Sequence, residues 1–393
     1  GYQSYLGRNS IQEKSQLQIS WIKGNHEKWY KSVYDWHELC FPLILISLDT
    51  LVKICFMRLA IIGATGMVGN VIREILLERM FPVTDLVLVA SSKSQGKEIN
   101  WNHKDYELVS IEKALNKKPD LAIFSAGSEV SKKFAQKFAD QGCFVIDNSS
   151  FWRMNANIPL IVPEINSDEL SEKKLIIANP NCSTIQLVMA LKPLHELHPV
   201  SRVIVSTYQS VTGSGRIALD QLNRERIGDV EGSTAYPYQI DKNCIPHCDI
   251  FLENDYTKEE MKLTQETKKI MNDNDILVSA TAVRVPVEGG HSESVNVEFR
   301  ENCPPIDLVR KALSSFPGIK IQDFIETNTY PMPIYAEGKN DVFIGRIRKD
   351  NSHVKAINLW IVTDNLRKGA ALNAIQIAEK LIEKKLIKKT AEN

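Results

Sequence analysis

An α/β fold, with a doubly wound parallel sheet followed by a second, α+β domain, is what the sequence predicts, and three observations carry the prediction. The chain has 393 residues, more than a single hydrophobic core usually organises. From Arg58 onward a strand, a glycine turn, a helix and a further strand follow in immediate succession, and the alternation continues to Ile146. After Pro180 the pattern changes to longer strands around one charged helix.

The elements follow in order. Residues 59–62 form a short apolar run that reads as a buried strand, ending in Gly63-Ala64-Thr65-Gly66-Met67-Val68-Gly69. Over 68–80, Val68, Val71, Ile72, Ile75 and Leu76 recur at helical spacing, and 85–90 reads as the next strand. A strand at 121–124, a helix at 129–140 and a strand at 144–146 continue the series, and right-handed crossovers then imply a parallel sheet. In the second half, strands are expected at 202–208, 276–285 and 294–299, with a helix at 256–271 among them. The last helix, 366–387, keeps Leu372, Ile375, Ile377, Ala378 and Leu381 on one side, a stripe expected to pack back onto the first domain. The expected division is 57–180 completed by 365–393, and 181–364.

Composition narrows the function classes. Lysine plus arginine equals aspartate plus glutamate at 48 each, so no net field exists to hold nucleic acid or an anionic membrane by charge alone. The cysteines, Cys40, Cys55, Cys143, Cys182, Cys244, Cys248 and Cys303, are odd in number and irregularly spaced, which points to a reducing, cytoplasmic setting with free thiols. Residues 1–56 stand apart. Their first part is polar and aromatic without periodicity, and the apolar run 41–56 is broken by Asp49 and Lys53. Each such charge would cost about 2.5–3.5 kcal/mol at a bilayer centre, and the arginine bias of a transit peptide is absent. The segment is read as an upstream extension outside the catalytic fold, with Met57 as the natural start.

Gly63, Gly66 and Gly69 stand where a strand turns into a helix and a backbone must approach a pyrophosphate, the geometry of a Rossmann-type nucleotide site. About 20 residues past such glycines a carboxylate would bind a ribose 2′-hydroxyl. This chain instead has Ser91, Ser92 and Lys93, hydroxyls and a cation that favour NADP over NAD.

The reaction centre is read at Asn179-Pro180-Asn181-Cys182-Ser183-Thr184. Proline and asparagine end a strand, Asn181 or Ser183 caps a new helix, and Cys182 falls in its first turn, where the macrodipole favours the thiolate. His291, after paired glycines, offers a proton shuttle, and Arg284, at the end of an apolar strand, suits a carboxylate clamp. Cys244, His247 and Cys248 lack a fourth partner at zinc spacing, so no metal is expected.

Together with Ser206-Thr207-Tyr208-Gln209-Ser210-Val211-Thr212-Gly213 and the segment from Arg284 to Glu293, these motifs make the chain resemble the aspartate-semialdehyde dehydrogenases of bacteria and plants, from Met57 to the C-terminus. The resemblance implies a second domain for catalysis and dimerisation, and a homodimer or dimer of dimers. It implies a cysteine thioester mechanism with NADP and phosphate on aspartate semialdehyde. It implies Cys182 as nucleophile, His291 as general acid/base, and Gln209 orienting the hemithioacetal or a water. Arg284 would hold the substrate carboxylate, Glu259 its ammonium, and Arg153 and Lys262 the phosphate. Ser125, Ala126 and Gly127 match the family's second cofactor loop, whereas Lys93 stands where arginine is common. The rival readings are an N-acetyl-gamma-glutamyl-phosphate reductase, whose substrate has no ammonium for Glu259, a cysteine hydrolase, which leaves the glycine turn unused, and a catalytically dead binding protein.

Overall fold

The computed structural model describes residues 57–229 and 231–387, so the readings made for 1–56 and for 388–393 lie outside the described residues. Seven strands form the first sheet, in the order β3-β4-β2-β1-β5-β6-β7. They are β1 (Arg58–Ile62), β2 (Asp85–Val89), β3 (Glu98–Trp101), β4 (Lys104–Val109), β5 (Leu121–Phe124), β6 (Phe144–Asp147) and β7 (Ile176–Ala178). All pair in parallel except β3 with β4. The helices α1 (Met67–Glu78), α2 (Ile111–Asn116) and α3 (Ser128–Ala139) supply the crossovers, which explains why β1 and β5 are apolar at nearly every position and buried on both faces.

The second sheet has the order β11-β12-β13-β10-β8-β9. Its parts in chain order are α4 (Cys182–Leu197), β8 (Val200–Gln209), α5 (Arg216–Arg226), α6 (Lys258–Met271), β9 (Leu277–Arg284) and β10 (His291–Phe299). They continue with α7 (Ile306–Ser315), β11 (Ile319–Ile321), β12 (Val342–Lys349) and β13 (Ala356–Thr363). Helices α4, α6 and α7 bury Ile185, Leu263 and Leu313 against Val203, Val295 and Leu359 of one sheet face. The other face carries the half-exposed Ile204, Tyr208 and Leu277, with Trp360 beside Tyr208 at 5.4 Å between ring centroids.

Three sequence expectations are corrected here. The charged helix begins at Lys258 because Thr257 and Glu260 form a capping box, and the strand expected from 294 begins at His291. The predicted 366–387 helix is a π-helical turn, Arg367–Ala371, followed by α8 (Leu372–Glu383). Asp364 fixes that turn by accepting the Leu366 and Arg367 N–H groups, an interaction outside any hydrophobic period. Helix α8 does pack its apolar stripe on the first sheet: Ile375, Ile377 and Ala378 share a cluster with Leu59 and Ile61. Lys368, buried within the turn, donates to both oxygens of Glu164, to Asn373 and to Gln376. Among the described residues no helix is long and apolar enough to cross a membrane, and no group of metal-ligating side chains assembles.

Glu293, on β10 and fully buried, has no charged partner among the described residues to stabilise its carboxylate. Burial pushes its carboxyl up to about 8, and Gln186 opposes the shift only weakly. Its folded value lies above the ordinary 4.5, so the native state holds the proton more tightly than the unfolded chain. Stability from this group is therefore full below 4.5 and is lost as pH rises towards 8. Glu293→Gln should flatten that decline and raise the melting temperature at the alkaline end, measured by calorimetry against the parent; an equal decline in both proteins would contradict it.

Candidate active site

Strand β7 ends at Ala178, and Pro180 prevents its continuation. Asn181, in extended backbone, caps α4 by accepting the Ser183 and Thr184 N–H groups at 3.0 and 3.2 Å, so of the two caps open to the sequence it is Asn181 that serves. Cys182 becomes the first residue of the helix. The turn is gripped from α6: the Asn181 N–H donates to Glu266 Oε2 at 2.7 Å, and its side-chain amide to Glu259 Oε1 at 2.9 Å. Across the cavity Gly369 is required for closeness, since a Cβ there would lie 2.9 Å from Cys182 Cβ.

Cys182 is half-buried and has cavity access. Burial pushes its thiol above the ordinary range and Glu259 adds to the shift, while Arg153, Arg284 and Lys262 oppose it. The expectation that the helix terminus alone favours the thiolate is thus corrected. Desolvation and a nearby carboxylate act against it.

Gln209 closes β8 and donates from one amide nitrogen to Ser183 Oγ at 2.6 Å and Glu259 Oε1 at 2.9 Å, leaving its oxygen without a partner among the described residues. Arg284, paired with Gln209 in the parallel register of β8 and β9, donates to the Ser210 carbonyl at 2.6 Å and lies over the Tyr236 ring at 5.9 Å. Its Nε is buried and has no partner among the described residues. His291 is buried, accepts the Ser210 N–H at Nδ1, and has no partner at Nε2 among the described residues. Burial, reinforced by the Arg284 charge, lowers its pKa to about 3, so the ring is neutral at physiological pH.

Glu259 and Lys262, three apart on α6, form an ion pair at 2.9 Å, and Lys262 also meets Asp249 at 2.8 Å. Burial alone would raise the Glu259 carboxyl. The Lys262 charge and the hydrogen bonds from Gln209, Lys262 and Asn181 hold it at about 2. Glu259 is buried and Lys262 only partly exposed, unlike the solvated helix pair that charge spacing also allowed. Arg153 pairs with Glu266 at 3.0 Å and donates to the Asn148 carbonyl at 2.9 Å, while its Nε has no partner among the described residues.

The glycine turn supplies the opposite wall. Gly63 adopts φ +91°, and a Cβ on it would lie 2.3 Å from the Ser125 carbonyl; one on Gly69 would lie 2.3 Å from the Gly63 carbonyl. At exposed Gly66 a Cβ would meet protein no nearer than 3.3 Å, so there the bare backbone keeps space for a ligand. Ala64 donates to the Val89 carbonyl, Thr65 is exposed, and Met67 and Val68 open α1. Neither Gly66 nor Gly127 (φ 87°) caps its helix with a side chain, so α1 and α3 present N–H groups suited to a pyrophosphate. Ser91, Ser92 and Lys93 are exposed past β2, beside this turn, whose Gly63 N–H donates to Val89. Ser125 follows β5 and donates to the Ile62 carbonyl, and Ala126 leads into Gly127.

One cavity of about 390 Å³ is lined by Val68 and Ser125 together with Cys182, Gln209, Arg284 and His291. Arg153, Glu259 and Lys262 line it too. It also includes Gly213, which the sequence reading quoted only as the end of a motif, and Asn365, which it did not single out; Gly213-Ser214-Gly215 after a strand end was the available signal at Gly213, and none marked Asn365.

Comparison with known proteins shows the family to which both halves of the chain are similar. The semialdehyde dehydrogenase NAD binding domain model matches residues 58–173, and the semialdehyde dehydrogenase dimerisation domain model matches 191–368. The chain is similar to the aspartate-semialdehyde dehydrogenase of Aquifex aeolicus, 49% identical over 84% of this chain and 99% of that protein. It is also similar to the crystal structure of aspartate semialdehyde dehydrogenase II from Vibrio cholerae. The TM-score is 0.80 and the identity 44%, covering 84% of this chain and 99% of that one. A second structure of that protein, described as complexed with ASA, also gives a TM-score of 0.80.

A Cβ on Gly213 would lie 2.9 Å from Arg284 Nη1 and 3.0 Å from His291 Nε2, in the space between the two groups. Gly213→Ala should therefore lower kcat/KM by at least about tenfold, a loss of roughly 1.4 kcal/mol of transition-state stabilisation, with little change in melting temperature. Unchanged kcat/KM would show that no reacting group occupies that space.

Proposed function

The chain belongs to the aspartate-semialdehyde dehydrogenase family, and on that premise we propose how its residues carry the reaction. The enzyme interconverts L-aspartate 4-semialdehyde and 4-phospho-L-aspartate with NADP and phosphate, physiologically in the reducing direction, on the route to lysine, methionine and threonine. The observation that carries the assignment of roles is the shared cavity: Cys182 opens one wall and the loops after β1 and β5 form the other.

In the oxidative direction the Cys182 sulfur attacks the aldehyde carbon and the carbonyl pair moves to oxygen, giving a thiohemiacetal. NADP, when bound, supplies the hydride acceptor that turns this adduct into a thioester. Phosphate oxygen then attacks the thioester carbon and the Cys182 sulfur departs as thiolate. His291 handles the proton at the reacting oxygen through Nε2, the nitrogen left free by the protein. Gln209 orients the adduct with its unpartnered oxygen.

Donor and acceptor counts support the binding roles. A carboxylate has about four lone-pair sites, and Glu259 spends three on Asn181, Gln209 and Lys262, leaving one on Oε2 for the substrate ammonium. A guanidinium has five N–H donors in a fixed fork. Arg153 uses one on Glu266 and one on Asn148, so the remainder suit phosphate together with Lys262. Arg284 uses one on Ser210 and keeps its buried Nε for the substrate carboxylate. An N-acetylated substrate would leave the Glu259 site unfilled, which favours the free amino acid. Ser91, Ser92 and Lys93 favour the 2′-phosphate of NADP. The outer face of the six-stranded sheet, with Tyr208, Ile204 and Leu277 exposed, suits a homodimer.

Cys182→Ala should abolish phosphate-dependent reduction of NADP by aspartate semialdehyde while near-ultraviolet circular dichroism stays native; turnover after the substitution would refute the thioester. His291→Asn should cost on the order of 10²–10⁴ in kcat with NADP binding retained, and a loss below about tenfold would remove its role. Free aspartate semialdehyde should be preferred to the N-acetylated glutamate analogue at equal concentration, and the reverse preference would overturn the substrate assignment.

A further inference from the structure

Helix α6 faces the site with one stripe of charge. Glu259, Lys262, Glu266 and Lys269 follow at spacings of three, four and three, which puts them on one side of the helix. The first two line the cavity, and Glu266 holds Arg153 and Asn181. Lys269, in the last turn, is not among the cavity-lining residues. A lysine there is ordinarily a solvated cation favoured by the helix C-terminus. This one directs its whole donor set at another segment. An ammonium has three N–H groups and no acceptor, and Lys269 Nζ donates at 2.7 Å to each of the carbonyls of Arg153, Asn155 and Ile158.

Carbonyl dipoles aimed at one point repel one another, so the shape of this segment depends on the cation at its centre. Its own backbone bonds are short-range. The Asn155 N–H donates to the Trp152 carbonyl at 3.0 Å, the Ile158 N–H to the Asn155 carbonyl at 3.2 Å, and the Asn157 N–H to the Asn155 side chain at 2.9 Å. Met154, Asn155, Ala156 and Asn157 are exposed, so apolar packing acts at the ends, where Trp152 and Ile158 touch the cores. Arg153 opens the segment, buried, with its guanidinium held by Glu266 and Asn148 and lining the cavity. Helix α6 therefore holds this residue twice, by side chain from Glu266 and by backbone from Lys269. A guanidinium reads phosphate through a rigid planar fork, so its use depends on where the fork is held.

Resting on the reading of Arg153 as a phosphate ligand, we propose that Lys269 is a positioning residue for phosphate. Its ammonium shapes the 153–158 turn and so sets where the Arg153 fork stands in the cavity. Glu266 alone would hold the guanidinium while the backbone behind it shifted; together the two anchors fix both ends of the side chain. The neighbouring charges fit a held ammonium, since Glu169 and Glu266 attract it and Lys174 opposes them. Phosphate is needed only after the thioester has formed. Loss of the anchor therefore acts on the second half of the reaction and leaves the hydride-transfer half in place.

The test is the kinetics of Lys269→Met in the full chain, a change that keeps the apolar stem and the helix propensity but removes every donor. KM for phosphate should rise by at least about tenfold. KM for aspartate semialdehyde and for NADP, and the rate of NADPH formation on mixing without phosphate, should stay within about twofold of the parent. A general loosening would slow the phosphate-free step as well; that pattern, or an unchanged KM for phosphate, would overturn the proposal. Should Lys269→Met fail to fold, Lys269→Gln, which keeps two N–H donors, takes its place with an expected rise of at least about threefold, and an unchanged value counts against the anchor. Lys174→Met removes the neighbouring cation and should leave KM for phosphate within about twofold; a rise equal to that of Lys269→Met would assign the effect to charge alone and overturn positioning. Arg153→Lys keeps the charge opposite Glu266, loses the fork, and should also raise KM for phosphate. If it does not, the reading of Arg153 falls and the proposal with it. If it does while Lys269→Met leaves that KM unchanged, the positioning role alone falls.

Discussion

Two buried carboxylates on one helix face set the geometry of the site. Glu259 and Glu266 are two turns apart on α6, and both reach Asn181, one through its side chain and the other through its backbone. That hold fixes the end of β7, the cap of α4 and hence the place of Cys182. Each carboxylate also holds a neighbour: Glu259 takes Gln209 from the end of β8, and Glu266 takes Arg153 from the loop after β6. Buried charge of this kind persists only when paired, and removing one partner of such a pair costs about 3–5 kcal/mol. Lys262 and Arg153 are thus structural counter-ions as well as candidate anion ligands, and an arriving phosphate has to share them with Glu259 and Glu266.

The first sheet gives this arrangement its second wall. Strand order reverses at β1, and the loops after β1, β5, β6 and β7 open on the same carboxyl edge, where open α/β sheets bind ligands. Those connections bring Val68, Ser125, Arg153 and Cys182 to one crevice. The six-stranded sheet then closes it with Gln209, Arg284 and His291, taken from the ends of β8 and β9 and the start of β10. The π-helical turn before α8 completes the enclosure by laying Gly369 against Cys182.

The parts legible in sequence were those with local signals. Parallel strands buried on both faces read as continuous apolar runs, so β1, β2, β5 and β6 fall within a residue or so of expectation. Cys182, His291 and Arg284 stood out because proline, asparagine and paired glycines punctuate the chain beside them. What was illegible depended on distance along the chain. Glu266 looks like any charge on a charged helix until Asn181, 85 residues away, is folded onto it. The β3–β4 hairpin is polar and turns at Asn102 and His103 with positive φ, so neither a hydrophobic period nor a glycine marks it. The raised Cys182 pKa was illegible for the same reason: a helix N-terminus is written locally, whereas burial and the Glu259 carboxylate are supplied by the assembled site.

The account stands on a covalent bond between one sulfur and the substrate. Mixing the protein with aspartate semialdehyde and NADP in phosphate-free buffer, quenching in acid and mapping the peptides by mass spectrometry tests it most directly. The account predicts an aspartyl adduct confined to the peptide containing Cys182, formed in step with one equivalent of NADPH and discharged when phosphate is added. Formation of NADPH with Cys182 unmodified and an adduct elsewhere, or none at all, would contradict it.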